Sequence, residues 1–300
     1  MTGVPKSGQH GGDGPAVAAA LGLDPEALLD LSQNLNPFAP DVSALVRRHL
    51  VTLRHYPDPD EATRRLAAAL HVNPSRLLLT NGGSEAIHLV ATELGGQVVS
   101  EPEFALHPRG TAGPRWRSNP HSPSGAIAGT DEEADVWDEA FYALATGRWS
   151  ACPDQAVVVG SLTKTFACPG LRVGYVLVPE GADVGRFARH QPQWSVGALS
   201  LAVLPDLLDR ADLAGWNARL AEARSDLAAL LRSRGLRVEA RQAPWVLVHD
   251  GTLRSMLAPQ GVLVRDCSSF GRGDLSRVAV PDATGLERLR VALDSTLAAR

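Results

Sequence analysis

Short apolar runs alternate with longer stretches of helical spacing along the first two thirds of the chain. Arg76–Thr80, Gln97–Ser100, Asp135–Trp137, Ala156–Gly160 and Arg172–Val178 are compact apolar runs and read as strands. Between them, Asp60–His71 carries Leu66, Ala67 and Leu70 at helical spacing, and Ser84–Leu94 opens on a helix-starting serine. Alternation of this kind predicts a mostly parallel α/β sheet flanked by helices, the fold-class expectation for this chain. From about residue 196 the pattern changes. Two long helical segments, Gly197–Leu208 and Leu213–Arg234, lead to strands near Leu236–Glu239, Trp245–Val248, Val262–Arg265 and Arg277–Val280, and a helix over Gly285–Ala298 follows. This grouping predicts a second, smaller α+β domain. At the N-terminal end, residues 1–14 read as a glycine-rich polar arm. Residues 15–21 read as a short helix with Pro15 in its first turn, and Leu29–Leu31 as an apolar step into the turn-rich Asn34–Pro37. The expected division is an arm and small-domain segment over 1–40, a large domain over 41–205 and a small domain over 206–300.

Composition narrows the function classes. Of 300 residues 44% are apolar and 21% charged, which is ordinary for a globular chain with a sizeable core. The formal net charge is −4 and no block is dense in Lys and Arg, so nucleic-acid binding is not expected. The three cysteines, Cys152, Cys168 and Cys267, have neither disulfide-framework nor metal-ligand spacing, so no metal is expected and a reducing cytoplasm fits. The N-terminus lacks signal-peptide order, and no apolar run approaches a membrane span.

Chemistry concentrates in a few segments. Lys164 follows Ser161 and Thr163, and Arg172 stands eight residues further on, before Gly174-Tyr175 and an apolar strand. A lysine that forms a Schiff base needs donors for a phosphate anchor and a fixed cation that does not compete as a nucleophile. Ser161, Thr163 and Arg172 can supply them. Leu77–Ala86 reads as strand, glycine turn and helix, where backbone N–H groups near Gly83 and the Ser84 hydroxyl form an anion site. Arg277 lies inside an otherwise apolar strand, a costly place for a guanidinium without an anion partner.

These segments resemble the fold-type I pyridoxal-phosphate-dependent aminotransferase superfamily, classes I and II. By that resemblance Lys164 is the Schiff-base lysine, with Ser161, Thr163, Arg172, Gly83 and Ser84 around the cofactor phosphate. Asp138, in Asp138-Glu139-Ala140-Phe141, would face the pyridine nitrogen and keep it protonated. Phe104 would stack on the ring. Ser118–Gly125 resembles the family's Asn-Pro-x-Asn-Pro-Thr-Gly loop with Ser122 in place of the second asparagine, and Phe141 stands where many members carry a tyrosine. Tyr56 matches a tyrosine that reaches the cofactor phosphate of the other subunit, which implies a homodimer with shared active sites.

Within the superfamily, His10-Gly11-Gly12-Asp13, Leu31–Pro37 with Asn36, Arg265–Ser268 and Pro192–Val196 resemble threonine-phosphate decarboxylases of cobalamin biosynthesis. Histidinol-phosphate aminotransferases are their sisters. The resemblance implies a phosphorylated amino acid as substrate, with His10, Asn36, Arg265 and Arg277 as binding residues. Arg265 would meet the substrate phosphate and Arg277 the α-carboxylate. Transamination of the histidinol-phosphate type is the alternative, and a degenerate, non-catalytic protein of the same fold is a third. One departure is large: the chain between Phe104 and Asp138 is far shorter than the family's usual, so most strand and helix layers there are expected to be trimmed.

Overall fold

The computed structural model describes residues 3–8, 10–151 and 155–297, so Cys152 and Ala298 lie outside the described residues. The chain begins with α1 (Gly14–Leu21), β1 (Leu29–Asp30), α2 (Val42–His49) and α3 (Asp60–Leu70). It continues through β2 (Leu77–Asn81), α4 (Gly82–Leu94), β3 (Gln97–Val98), β4 (Arg115–Ser118), β5 (Val136–Asp138), α5 (Tyr142–Thr146), β6 (Val157–Ser161), α6 (Leu162–Thr165), β7 (Val173–Leu177) and α7 (Gly185–Ala188). The remainder is α8 (Ala198–Asp209), α9 (Leu213–Ser233), β8 (Val238–Ala240), β9 (Trp245–Val248), α10 (Leu253–Leu257), β10 (Val262–Leu263), β11 (Arg265–Cys267), β12 (Arg272–Ala279) and α11 (Ala283–Leu297).

Six strands form the central sheet in the order β2-β7-β6-β5-β4-β3. Five are parallel to one another, and β7 runs against both its neighbours. The sheet is mostly parallel, as strand–helix alternation predicts, with a single strand reversed. A parallel return needs a crossover of about a dozen residues or more, usually with a full helix. Residues 162–172 hold only the single turn α6 and a 3₁₀ turn, so the chain doubles back. Lys164 sits in that reversal.

The shortened region also differs from expectation. The strand layer survives as β4, inserted between β3 and β5; what is missing is helix, since residues 99–114 and 119–135 contain neither helix nor strand. Two side chains hold the first of these loops in place of helical hydrogen bonds. Arg109 donates to the carbonyls of Glu103, Phe104 and His107 at 3.0, 2.7 and 2.6 Å. The buried Glu103 carboxylate accepts from the backbone N–H of Phe104 at 2.8 Å and of Ser118 at 2.9 Å.

The second sheet is antiparallel, in the order β11-β12-β9-β8. The single strand read over Val262–Arg265 is in fact two: β10 pairs in parallel with β1, and β11 pairs with β12. The glycine-rich arm is not free. Val4 packs against the Val17, Ala258 and Leu263 cluster, and the Gly12 N–H donates to Ser32 Oγ at 2.9 Å. Among the described residues, five helices escape the periodicity reading. Of these α5, α6, α7 and α10 are too short to show a period, and α2 buries only Leu45.

The largest apolar core runs without a break from Leu31 to Leu293. Among its members Phe166 is fully covered, as are Trp116 and Trp245 beyond it. Burying aromatic faces of this size contributes about 25 cal/mol per Å² of apolar surface removed from water. Among the described residues no helix is long and apolar enough to cross a membrane.

Candidate active site

The C-terminal ends of β5 and β6, the N-terminus of α4, the α6 turn, the β11–β12 ladder and the N-terminal arm enclose a cavity of about 480 Å³. Its floor is set by glycines. Gly82 has φ +74°, and a Cβ there would lie 2.4 Å from Arg172 Nη2. On Gly174, a Cβ would lie 2.5 Å from the Gly82 carbonyl carbon. Only bare backbone lets β7 and the start of α4 approach this closely. Arg172 adopts the left-handed region at φ +52°, an uncommon state for arginine, and its guanidinium lies beneath the α4 N-terminus. Two positive ends facing one another repel unless an anion sits between them. Ser84, Ser161 and Thr163 open on the same space, with the last two hydroxyls 2.9 Å apart.

Lys164 lines the cavity from α6, and its own backbone is fixed from below by Asn36. The Asn36 N–H donates to the Lys164 carbonyl at 3.0 Å, and Asn36 Nδ2 donates to the Thr165 carbonyl at 2.9 Å. Asn36 does not line the cavity, so the expected substrate contact is replaced by bracing of the lysine turn. Burial, and then Arg277, Arg172 and Arg265, push the Lys164 ammonium down to about 8.

Opposite the lysine segment, Asp138 ends β5 with its carboxylate buried. Its Oδ1 accepts from the Ala140 N–H at 3.0 Å and its Oδ2 lies 3.0 Å from His107 Nε2. As a carboxylate Asp138 can only accept, so His107 carries its proton on Nε2. No sequence pattern marks His107: it lies on an irregular loop, where no period shows which side chains point inward. Phe104, three residues earlier, lines the cavity and meets the His107 ring edge-on at 5.7 Å.

The remaining wall is cationic. Arg265 and Arg277 stand directly opposite each other across the β11–β12 ladder. Like charges in that register are destabilising unless something anionic bridges them. Both guanidiniums have their pKa lowered by burial, Arg277 strongly and further by its neighbour Arg265. Arg277 Nη1 donates to Ser122 Oγ at 3.3 Å and its guanidinium lies over the Trp245 ring at 4.7 Å. With its carboxamide oxygen turned inward, Asn34 accepts from Arg277 Nε at 3.2 Å and Nη2 at 2.7 Å. Asn34 is two residues from Asn36 in the same motif, and its φ of +54° is what turns it inward; sequence alone gives no sign of that angle. Arg265 donates to Ser269 Oγ at 3.0 Å. His10 closes the cavity, 5.5 Å from Phe104 between ring centroids. Its pKa is lowered, first by burial and then by Arg265 and Lys164.

Of the expected site residues, His10, Gly83, Ser84, Phe104, Ser122, Asp138, Ser161, Thr163, Lys164, Arg172, Arg265 and Arg277 all line this one cavity. Tyr56 does not: it is 76% exposed and packs on Trp194 with ring centroids 4.4 Å apart. The glycine cradle, the converging hydroxyls, the aromatic face of Phe104, the buried acid and the amine fit a phosphorylated pyridine aldehyde.

In cofactor-free protein, Lys164 should be trapped by pyridoxal phosphate and borohydride at a rate that rises through pH 8 and then levels. Peptide mapping should place the adduct on Lys164 and not on Lys6, the other lysine of the chain. A rate still climbing toward the ordinary lysine value of 10.5 would show that the cationic surroundings do not act on this amine.

Comparison with known proteins agrees with this geometry. Residues 117–294 match the family described as aminotransferase class I and II. The threonine-phosphate decarboxylase of Salmonella typhimurium is 31% identical, with 96% of each chain covered. That alignment spans 352 positions against 300 residues here. The histidinol-phosphate aminotransferase of Haloarcula marismortui is 28% identical, with 91% of each covered. Among solved structures, histidinol-phosphate aminotransferase from Sinorhizobium meliloti in complex with pyridoxal-5′-phosphate superposes with a TM-score of 0.82 at 15% identity, covering 95% of each chain. With the lysine, the acid and the phosphate cradle assembled in one cavity, the chain belongs to the class I and II aminotransferase family of pyridoxal-phosphate-dependent, fold-type I enzymes.

Proposed function

We propose that this enzyme decarboxylates L-threonine O-3-phosphate to (R)-1-amino-2-propanol O-2-phosphate, the reaction that serves cobalamin biosynthesis, in the cytoplasm. The observation that carries this reading is the buried pair Arg265 and Arg277 facing each other beside Lys164. Two guanidiniums at this spacing suit one small substrate that bears both a phosphate and a carboxylate.

Pyridoxal phosphate, when bound, supplies an electron sink conjugated to the substrate's amine. The protein's part is holding and proton transfer. Ser84, Ser161, Thr163, Arg172 and the α4 N-terminus would hold the cofactor phosphate, and Phe104 would cover the ring. Asp138 would keep a proton on the ring nitrogen, and His107 keeps Asp138 in place. Arg277, steadied by Asn34, fixes the α-carboxylate, and Arg265 with His10 fixes the phosphate. Two anchors on one substrate would fix the orientation of its Cα substituents, and so which of them is poised to leave. The lowered pKa of Lys164 leaves a share of neutral amine near neutral pH, suited to moving a proton at Cα.

Transamination of the histidinol-phosphate type is the second reading, supported by relatives such as the Haloarcula protein. Histidinol phosphate has no carboxylate, so it would leave one of the two buried arginines without an anion. A product assay on threonine phosphate separates the readings: carbon dioxide without a 2-oxo acid supports decarboxylation, and turnover only with a 2-oxo acid supports transamination.

Arg265→Ala should weaken kcat/KM for threonine phosphate by about 2–5 kcal/mol while costing unphosphorylated threonine little. Arg277→Ala should penalise both substrates alike. Equal losses with Arg265→Ala would remove the phosphate-reading role and favour an unphosphorylated amino acid.

We also propose a homodimer with shared sites. Leu50, Val51 and Leu53, just before Tyr56, are about half exposed or more, as is Trp194 beside it. Such a patch is unusual on a lone chain. Mixing Tyr56→Phe chains with Lys164→Ala chains should give heterodimers with one intact site and one doubly damaged one. Sedimentation of fully active monomer would contradict the shared site.

A further inference from the structure

Arg254 is a buried arginine outside the cavity, on the short helix α10. Its guanidinium contacts two points of the N-terminal arm and the segment just before Arg265. Nη2 lies 2.6 Å from Asp13 Oδ2 and Nη1 lies 3.3 Å from Asp13 Oδ1. Nη1 also reaches the Val264 carbonyl at 3.3 Å, and Nη2 the Pro5 carbonyl at 3.5 Å. Asp13 closes the arm three residues after His10, and Val264 immediately precedes Arg265. One guanidinium therefore joins the segment that carries His10 to the strand that carries Arg265.

Other contacts make this clamp the fixed point of the arm. Asp266 accepts a hydrogen bond from Ser7 and is also stabilised as an anion by Arg254. Gly11 lies flat on the backbone of β1's continuation, where a Cβ would sit 2.1 Å from the Ser32 carbonyl oxygen. The Gly11–Gly12 pair has little stiffness of its own. The Gly12 N–H bond to Ser32 Oγ holds one point of this stretch, and the anchor at Asp13 fixes its other end. A buried guanidinium with a carboxylate and two carbonyls provides that anchor, since its planar fork fixes direction as well as distance.

We propose that Arg254 is a positioning residue for the substrate's anionic group: through Asp13 and Val264 it sets the spacing between His10 and Arg265. This rests on the reading that those two residues face the substrate phosphate. It concerns a residue that touches neither substrate nor cofactor.

The test uses pyridoxal-phosphate-loaded enzyme and two ligands, O-phospho-L-threonine and L-threonine, followed by the change in cofactor absorbance on titration. Arg254→Met should raise the Kd for phosphothreonine about ten- to a hundredfold, as a displaced anchor group does, and leave that for threonine within about twofold. Asp13→Asn, which keeps the shape and removes the charge, should shift the same ratio in the same direction and serves if Arg254→Met does not fold. Hydrogen exchange at Gly11 and Gly12 should quicken in both variants. In the Arg254→Met background, His10→Ala should add little, because the ring has already lost its place. Equal losses for the two ligands, or a full His10→Ala effect on top of Arg254→Met, would overturn the clamp. The single variants His10→Ala and Arg265→Ala separate the two levels. If they discriminate phosphate and Arg254→Met does not, the clamp fails; if they do not discriminate, the phosphate reading fails.

Discussion

Four positive side chains converge on a cavity of about 480 Å³ whose lining, among the described residues, holds one carboxylate, Asp138. They are Lys164, Arg172, Arg265 and Arg277. Burial first, and then repulsion from neighbouring cations, lowers the pKa of Lys164 and of Arg277 there. Burial adds to the cost, because desolvated cations are expensive unless anions meet them. The folded chain tolerates this only because its other contacts fix those residues. Asn34 and Ser122 hold Arg277, Ser269 holds Arg265, and the glycines of α4 and β7 leave room for Arg172. The arrangement is a site shaped for anions before any anion arrives.

The topology explains how distant parts of the sequence meet at it. The β6–α6–β7 reversal brings Lys164 and Arg172 to the same end of the sheet as the α4 N-terminus and Asp138. The parallel pairing of β1 with β10 carries the arm across to the small sheet, where Arg265 and Arg277 lie on neighbouring strands. A continuous apolar core behind these elements keeps their relative placement. The loop 99–114 does with Arg109 and Glu103 what a helix would otherwise do, and it delivers both Phe104 and His107.

Much of this is legible in the sequence, and the exceptions are physical. Arg277 declares itself as a cation inside an apolar strand, and Lys164, Asp138 and Ser84 through short motifs that resemble the family's. β4 is hidden by brevity: Arg115-Trp116-Arg117-Ser118 buries one aromatic and shows no alternation. His107 and Asn34 are hidden because loop conformation, not periodicity, aims them. Asn36 carries the right motif and a different role, since its amide is spent on backbone carbonyls beneath Lys164. The reversed direction of β7 follows from the length of a connection, a feature that a strand-by-strand reading does not weigh.

The cavity's cations are held for anionic ligands. Thermal unfolding of cofactor-free protein in inorganic phosphate, against sodium chloride of equal ionic strength, addresses it directly. The expected result is a melting temperature that rises with phosphate concentration as a binding isotherm, and a rise that shrinks when Arg172→Ala removes one cation. Identical melting in phosphate and chloride would contradict it.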